Sequence, residues 1–89
     1  MKITDIRIRL INNDDNNLKA VASITIDGVF VVHDIKVLSG KDGLFVSMPR
    51  RKTPDGEFKD VCHPLNTPTR LEINQLVLAK YEEEKNANA

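Results

Sequence analysis

The alternation of side-chain character in two neighbouring segments limits the fold of this chain more than any other feature. Within residues 3–10 one face is apolar except for Thr4 and the other face is charged, and residues 18–27 again separate an apolar face from a polar one. Period-two alternation predicts half-buried strands. The Asn- and Asp-rich stretch between them, residues 12–17, is typical of a turn. The sequence therefore predicts an antiparallel hairpin.

The register of this hairpin is predicted by keeping the apolar faces together, because a slip of one residue would move every side chain to the wrong face. Pairing Leu10 with Leu18 meets that condition. The same pairing sets Arg9 directly opposite Lys19, and like charges so placed weaken a hairpin. Either both long side chains turn into water, or they form with Arg7 a secondary patch that contacts phosphates.

Three further strands are predicted downstream. Residues 29–38 are nearly continuous in apolar character at their start, which indicates greater burial there. Residues 44–48 form a fourth strand, ended by Pro49 because proline cannot donate to a ladder. Residues 57–63 are a fifth extended run. His33 falls on the apolar face of its strand, so we expect it to be semi-buried and hydrogen-bonded, with a pH-sensing or interface role as the alternative.

A helix is predicted after residue 66. The candidate caps are Asn66, Thr67 and Thr69. Thr69 with Glu72 also fits a capping box. Apolar residues then recur every three or four positions and predict one face packed on the sheet, namely Ile73, Leu76, Val77 and Tyr81. Residues 82–84 are acids at the negative end of the helix, so we expect fraying from about Tyr81.

Together these patterns predict an α+β fold, a small antiparallel sheet of about five strands with one C-terminal helix packed on it. Residues 1–81 are expected to form a single domain and residues 82–89 a frayed or disordered acidic tail. The chain has 89 residues and a net charge of zero, with 13 basic and 13 acidic residues, and residues 1–81 alone carry +2. Attraction to an anionic partner would therefore come from a local patch.

The consecutive cations Arg50, Arg51 and Lys52 are the strongest candidate for a binding site. The turn-forming residues 53–56 would hold them in a fixed loop and lower the ordering cost of binding a polyanion such as nucleic acid. The alternative is a solvated loop whose cations pair with nearby acids. At a salt slope of about 0.9 per neutralised phosphate, three cations hold DNA too weakly, so binding would require a dimer. The expected nucleic-acid contacts are Arg50, Arg51, Lys52, Lys59 and Arg70, and the secondary basic patch is Arg7, Arg9 and Lys19.

Other kinds of chemistry have little support in the sequence. Phosphate-loop, dinucleotide-loop, nucleophile-elbow and zinc-protease motifs are missing, so we expect no enzyme, no cofactor and no small-molecule substrate. Cys62 and His63 would point to opposite faces of a strand, which argues against a metal site or a Cys–His nucleophile. The single cysteine allows no disulfide within the chain. The N-terminus is unlike a signal peptide and no apolar run could span a bilayer, so we expect a cytoplasmic protein without a membrane partner.

The most specific motifs are RKTPDGEFKD at residues 51–60 and HPLN at residues 63–66. Further characteristic segments lie at residues 2–7, 23–27, 32–37 and 43–49. In this order the motifs resemble the bacterial SpoVG family, the stage V sporulation protein G or septation regulators. The resemblance extends from Met1 to about Tyr81. Arg51 and Lys52 match the basic pair of the family motif, whereas Arg50 and Cys62 stand where small residues are common in relatives.

The resemblance implies a cytoplasmic homodimer, joined through its sheets, that binds DNA and RNA and has no catalytic activity. It also implies regulation of gene expression, including transcription, in programmes such as sporulation, septation and cell division. The choice between DNA and RNA, the target sequence, the regulated genes and the direction of the effect stay open. The alternative function is a protein-interaction adaptor that works by strand addition or helix packing, which an uncovered apolar surface at Phe30 and Val32 would favour.

Overall fold

In the computed structural model, which describes residues 2–11 and 17–87, four strands that follow one another along the chain also pair in that order. Each forms an antiparallel ladder with the next, and a two-stranded ribbon and a helix follow. The elements are β1 (Ile3–Leu10), β2 (Leu18–Ile26), β3 (Phe30–Gly40), β4 (Gly43–Ser47), β5 (Arg50–Lys52), β6 (Phe58–Asp60) and α1 (Thr67–Ala87). The predicted α+β fold is confirmed. The predicted fifth strand belongs to the separate ribbon, and most of the predicted turn at residues 12–17 lies outside the described residues.

The core lies between the helix and one face of the four-stranded sheet. β2 contributes the small side chains of Ala20 and Ala22, and β3 contributes Ile35 and Val37, each at most 2% exposed. Small residues in the sheet leave room for the larger side chains of the helix in the same cluster. The buried residues of the described chain are Ala20, Ala22, Ile24, Ile35, Val37, Met48, Ile73, Val77 and Tyr81. The alternation seen in β2 therefore separates a packed face from a polar outer face.

The register of the first hairpin differs from the predicted one by two residues. Leu10 pairs with Ala20 rather than with Leu18, and Arg9 faces Val21 rather than Lys19. Both registers keep the apolar faces together, because a shift of two residues preserves the alternation. A hydrogen bond from the backbone amide of Ile11 to the Lys19 carbonyl, 3.0 Å long, continues the ladder in the observed register. The predicted like-charge pair is therefore wrong.

A bulge in β3 changes which face its side chains occupy. Ile35 pairs with Ala22 and Val32 pairs with Ile24, so two residues of β3, His33 and Asp34, stand against one residue of β2. Asp34 has a φ of 62°, in the left-handed region that non-glycine residues rarely adopt. The bulge therefore separates His33 from the face of Ile35.

The burial of β3 is the reverse of the prediction. The apolar start of the strand is open to solvent, with Phe30 63% and Val31 45% exposed, and His33 is also exposed. Burial begins only after the bulge, at Ile35. The prediction of a semi-buried His33 is wrong because a period-two reading assumes that no residue is inserted in the ladder. The prediction of a buried strand start is also wrong, because an apolar run is buried only where other elements cover the sheet.

The helix begins at a cap supplied by Asn66. Its Oδ1 atom accepts a hydrogen bond of 2.8 Å from the backbone amide of Thr69, so Asn66 is the cap, and Thr69 lies inside the helix instead of opening a capping box. The helix continues beyond Tyr81 to Ala87, where we expected fraying. Lys80 offsets the acids there, because its Nζ atom lies 3.5 Å from Glu83 and 3.6 Å from the next glutamate.

One of the four predicted helix contacts is only partly made. Ile73, Val77 and Tyr81 are buried, four residues apart, whereas Leu76 is 39% exposed. The packed face is therefore a narrow stripe along one side of the helix. Within residues 2–11 and 17–87 no helix combines the length and the apolar character needed to span a membrane.

Candidate nucleic-acid interface

The cationic residues 50–52 form a strand rather than a loop. β5 and β6 pair as an antiparallel ribbon in which Arg50 faces Asp60, Arg51 faces Lys59 and Lys52 faces Phe58. All six residues are exposed, and the ribbon makes few contacts with any other element. The prediction that these cations project from a loop is wrong in form. A short turn after Lys52 reverses the chain direction, so residues 50–52 pair with residues 58–60.

That turn holds the ribbon together. The Thr53 amide donates to the Glu57 carbonyl at 2.7 Å and the Gly56 amide donates to the Thr53 carbonyl at 3.0 Å. The Thr53 hydroxyl lies within hydrogen-bonding distance of the Asp55 carboxylate and of the Glu57 carbonyl, and can donate to one at a time. Gly56 has a φ of 87°, a conformation that glycine adopts readily. The expectation that residues 53–56 order this segment agrees with these contacts.

Strand geometry divides the cations between two faces of the ribbon. Side chains of directly paired residues share a face and successive residues along a strand alternate. Arg51 and Lys59 therefore lie together on one face, which we call the cationic face. Arg50 and Lys52 lie on the opposite face with Asp60 and Phe58. The three consecutive cations therefore do not form one patch. On the cationic face the neighbour of Arg51 is Lys59, and neither Arg50 nor Lys52 lies there.

Ion pairing separates the two faces further. The Arg50 Nε atom lies 3.0 Å from the Asp60 Oδ1 atom, so the charge of Arg50 is largely offset by its cross-strand neighbour. Arg51, Lys52 and Lys59 have no ion-pair partner within the described part of the chain. The alternative in which nearby acids pair with the cations therefore applies to Arg50 alone. The ribbon cations available to a ligand are therefore Arg51, Lys52 and Lys59.

The other expected contacts lie on different elements. Arg70 is exposed in the first turn of α1 and belongs to no ribbon face. Arg7 and Arg9 line an open concavity of about 350 Å³ on the outer face of the sheet, and His33 lines it too. Lys19 is half-buried on the strand beside them, and Arg7 is paired with Asp5 at 3.1 Å. Sequence reasoning missed His33 as a member of this patch because only the bulge places it on that face.

Cys62 and His63 also differ from their predicted arrangement. β6 ends at Asp60, so neither residue is in a strand, and both line an apolar groove of about 200 Å³ with Phe30 and Val32. The geometric reason given against their cooperation, opposite faces of a strand, therefore does not apply. Within the ranges that the structure describes, no three His, Cys, Asp or Glu side chains are grouped so that they could hold a metal ion.

Comparisons with known proteins agree with the motifs of the ribbon. The family model SpoVG matches residues 1–83. A protein of Clostridium acetobutylicum is 58% identical over 86 residues, which cover 97% of this chain and 90% of that protein. A protein of Caldanaerobacter subterraneus subsp. tengcongensis is 54% identical over 89 residues, 100% of this chain and 97% of that protein. Both carry the name "Putative septation protein SpoVG". The similarity thus covers both the sheet and the ribbon.

Proposed function

We propose that this chain, which belongs to the SpoVG family, is a non-catalytic regulator of gene expression. In this proposal it binds nucleic acid as a homodimer. The family and the name of these relatives support a role related to sporulation or septation. The proposal places the protein in the cytoplasm, where nucleic acid is available to it. The ribbon supplies the main contact, and Arg70 and the outer-face patch (Arg7, Arg9 and Lys19) supply further cations.

The observation that carries this proposal is the exposed ribbon with cations that no acid of residues 2–11 or 17–87 pairs with. Arg51, Lys52 and Lys59 project from a two-stranded ladder that other elements barely touch. The turn at Thr53–Gly56 restrains the ladder through its own hydrogen bonds, so little conformational entropy is lost when a ligand binds. These exposed cations are held in place and are not paired with acids of the described residues. They therefore favour phosphate binding over the alternative of a solvated loop whose cations pair with nearby acids.

The number of cations supports the dimer. Each neutralised phosphate contributes about 0.9 to the salt slope, and three contacts hold DNA weakly at physiological salt. A second copy would double the contacts. Among the strands of the described residues, β4 lies at an edge of the sheet and pairs with β3 alone, so its other edge can pair with a strand of a second chain. Phe45 on β4 is 50% exposed and would contribute apolar area to such an interface.

A salt-dependent binding titration tests the proposal with DNA and with RNA. The triple variant Arg51→Ala, Lys52→Ala, Lys59→Ala should lose affinity, and its salt slope on duplex DNA should fall by about 0.9 for each of these cations that neutralises a phosphate. The control replaces three exposed lysines of other segments, Lys2, Lys41 and Lys85. Equal affinity and slope in the triple variant and the native protein would refute the role of the ribbon. A strictly monomeric mass by light scattering would refute the dimer.

A second candidate function, a protein-interaction adaptor, is favoured by the apolar groove beside the helix. Phe30 is 63% exposed at this groove, which it lines with Val32 and Ile73. A Phe30→Trp variant reports whether the dimer covers it. Indole emission typical of water at every protein concentration would favour the adaptor, because the groove would stay open for a partner. A blue shift on dimerisation would remove this support.

A further inference from the structure

We propose that the ribbon enters the major groove of double-stranded DNA with its cationic face against the base edges, where Arg51 contacts guanine. This inference rests on the proposed nucleic-acid binding and deepens it by naming the ligand class and the groove. The remaining members of the ribbon, on the face of Arg50 and Asp60, are turned away from the bases.

The shape of the ribbon is the first argument. The major groove of B-form DNA, about 12 Å wide, admits either an α-helix or a two-stranded β-ribbon. β5 and β6 form such a ribbon, and it is exposed on both faces and free of close packing by other elements. The helix α1 is the less suitable element, because it carries four glutamates against three cations and so has a net negative charge. The ribbon can therefore approach the floor of the groove without displacing the core.

The division of charge between the faces is the second argument, and it decides which face meets the bases. Arg51 and Lys59 stand directly opposite each other, and like charges in that arrangement destabilise a ribbon. An electronegative groove floor relieves this repulsion, because guanine presents two acceptors, O6 and N7, that a guanidinium binds together. The other face carries the ion pair of Arg50 with Asp60, 3.0 Å apart, and a carboxylate facing DNA is unfavourable. The face of Arg50 is thus stabilised by its own ion pair with Asp60, whereas the cationic face is stabilised when it binds an electronegative ligand.

The distribution of aromatic residues argues for duplex DNA over the other nucleic acids. Single strands are commonly held by bases stacked on aromatic side chains. The only aromatic residue of the ribbon, Phe58, lies on the face opposite Arg51. The major groove of an RNA duplex is deep and narrow, so side chains cannot read it. The cationic face therefore fits B-form DNA best.

Filling the groove tests this placement directly. The probe is a G·C-containing DNA duplex, compared with the same duplex in which each cytosine carries a 5-glucosyloxymethyl group. The C5 position faces the major groove, so the modification fills that groove and leaves the phosphates and the minor groove intact. We expect the modified duplex to bind about tenfold more weakly. Equal affinity for the two duplexes would overturn the inference.

Variants of single residues show whether Arg51 acts in the groove. Arg51→Ala should weaken binding to the unmodified duplex about tenfold and have little further effect on the filled one. Arg51→Lys keeps the charge but loses the bidentate fork, so it should retain the salt slope and lose most of the sensitivity to filling. Lys52→Ala should affect both duplexes equally, and the exposed control Lys41→Ala should affect neither. Equal losses on both duplexes for Arg51→Ala would place this residue on phosphates instead.

Two further probes separate failure of this inference from failure of the proposed function. They are the single DNA strand and the RNA duplex of the same sequence. Binding to either as tight as to the DNA duplex, together with no effect of groove filling, would overturn major-groove entry and leave nucleic-acid binding in place. Absence of binding to all of the probes would overturn both. A preference for the unmodified DNA duplex supports both.

Discussion

The four-stranded sheet and the β5–β6 ribbon use the same antiparallel ladder but are stabilised by different means. In the sheet, Ile35 and Val37 are fully buried beneath the helix, whereas on the ribbon Phe58 is 64% exposed. Burial of one such aliphatic side chain contributes about 1.5–3 kcal/mol. The exposed ion pair of Arg50 with Asp60 contributes about 0–1 kcal/mol. The ribbon therefore depends on its turn and on the sheet that anchors its ends.

This difference separates stability from binding. Substitutions in the core of the sheet act on the folding of the whole domain, because its residues form one cluster. Substitutions on the ribbon act on a small ladder that the core does not need. The ribbon can consequently carry opposed like charges, Arg51 and Lys59, at a modest cost that the rest of the domain tolerates.

The largest effect is expected from Ile35→Ala in the sheet. The side chain is 0% exposed, so its truncation should lower the free energy of unfolding by about 2–5 kcal/mol. Urea denaturation measures the loss, and Ile35→Val should cost about 0.5–1.5 kcal/mol in the same experiment. Nucleic-acid affinity per folded molecule should be unchanged. A loss of affinity in the fully folded Val variant would contradict the separation of the two regions.

A smaller, local effect is expected from Gly56→Ala in the turn of the ribbon. The φ of 87° strains any L-residue with a Cβ atom, by about 1–2 kcal/mol, although no neighbouring atom would clash with it. Hydrogen exchange of the amides of Thr53 and Gly56 should accelerate and nucleic-acid affinity should fall, while the urea midpoint barely changes. Gly56→Asn is the matched control and should be milder, because Asn tolerates positive φ better. A shift of the global midpoint equal to that of a core variant would show that the ribbon is part of the core.

The smallest effect on stability is expected from Asp60→Asn. This substitution should raise nucleic-acid affinity, whereas Gly56→Ala should lower it. Loss of its ion pair with Arg50 should change the free energy of unfolding by no more than about 1 kcal/mol. Removing a negative charge beside the ligand should raise affinity at low salt, and the salt slope should steepen by up to about 0.9 if the freed Arg50 meets a phosphate. Asp42→Asn, in the exposed β3–β4 turn, is the control. Weaker binding by Asp60→Asn would show that the ion pair itself shapes the site.

Features that depend on local sequence were predicted well. The alternation in β1 and β2 predicted both strands. The apolar spacing of Ile73, Val77 and Tyr81 predicted the packed side of the helix. In each case the physical cause lies within a few residues along the chain.

Features that depend on pairing between segments were predicted less well. The register of the first hairpin was missed by two residues because alternation repeats every two. The loop reading of residues 50–52 missed the ribbon, because a three-residue strand has no periodicity until its partner is known. The cap at Asn66 was one of several candidates, and only geometry chose among them. The division of the candidate site into two faces therefore had no signal in the sequence.

The bulge at His33 and Asp34 makes this point of the coding sequence tolerant of a change in length, because it holds one residue more than regular pairing needs. Deleting either codon would keep the reading frame and leave one residue opposite Ser23, restoring regular pairing. Val32 would keep its pairing with Ile24 and Ile35 its pairing with Ala22, so the apolar side chains of β3 would stay on the side of the sheet that faces the helix. One codon can thus be lost here without inverting the strand, whereas the loss of one codon at a regularly paired position would move the side chains on one side of it to the opposite face.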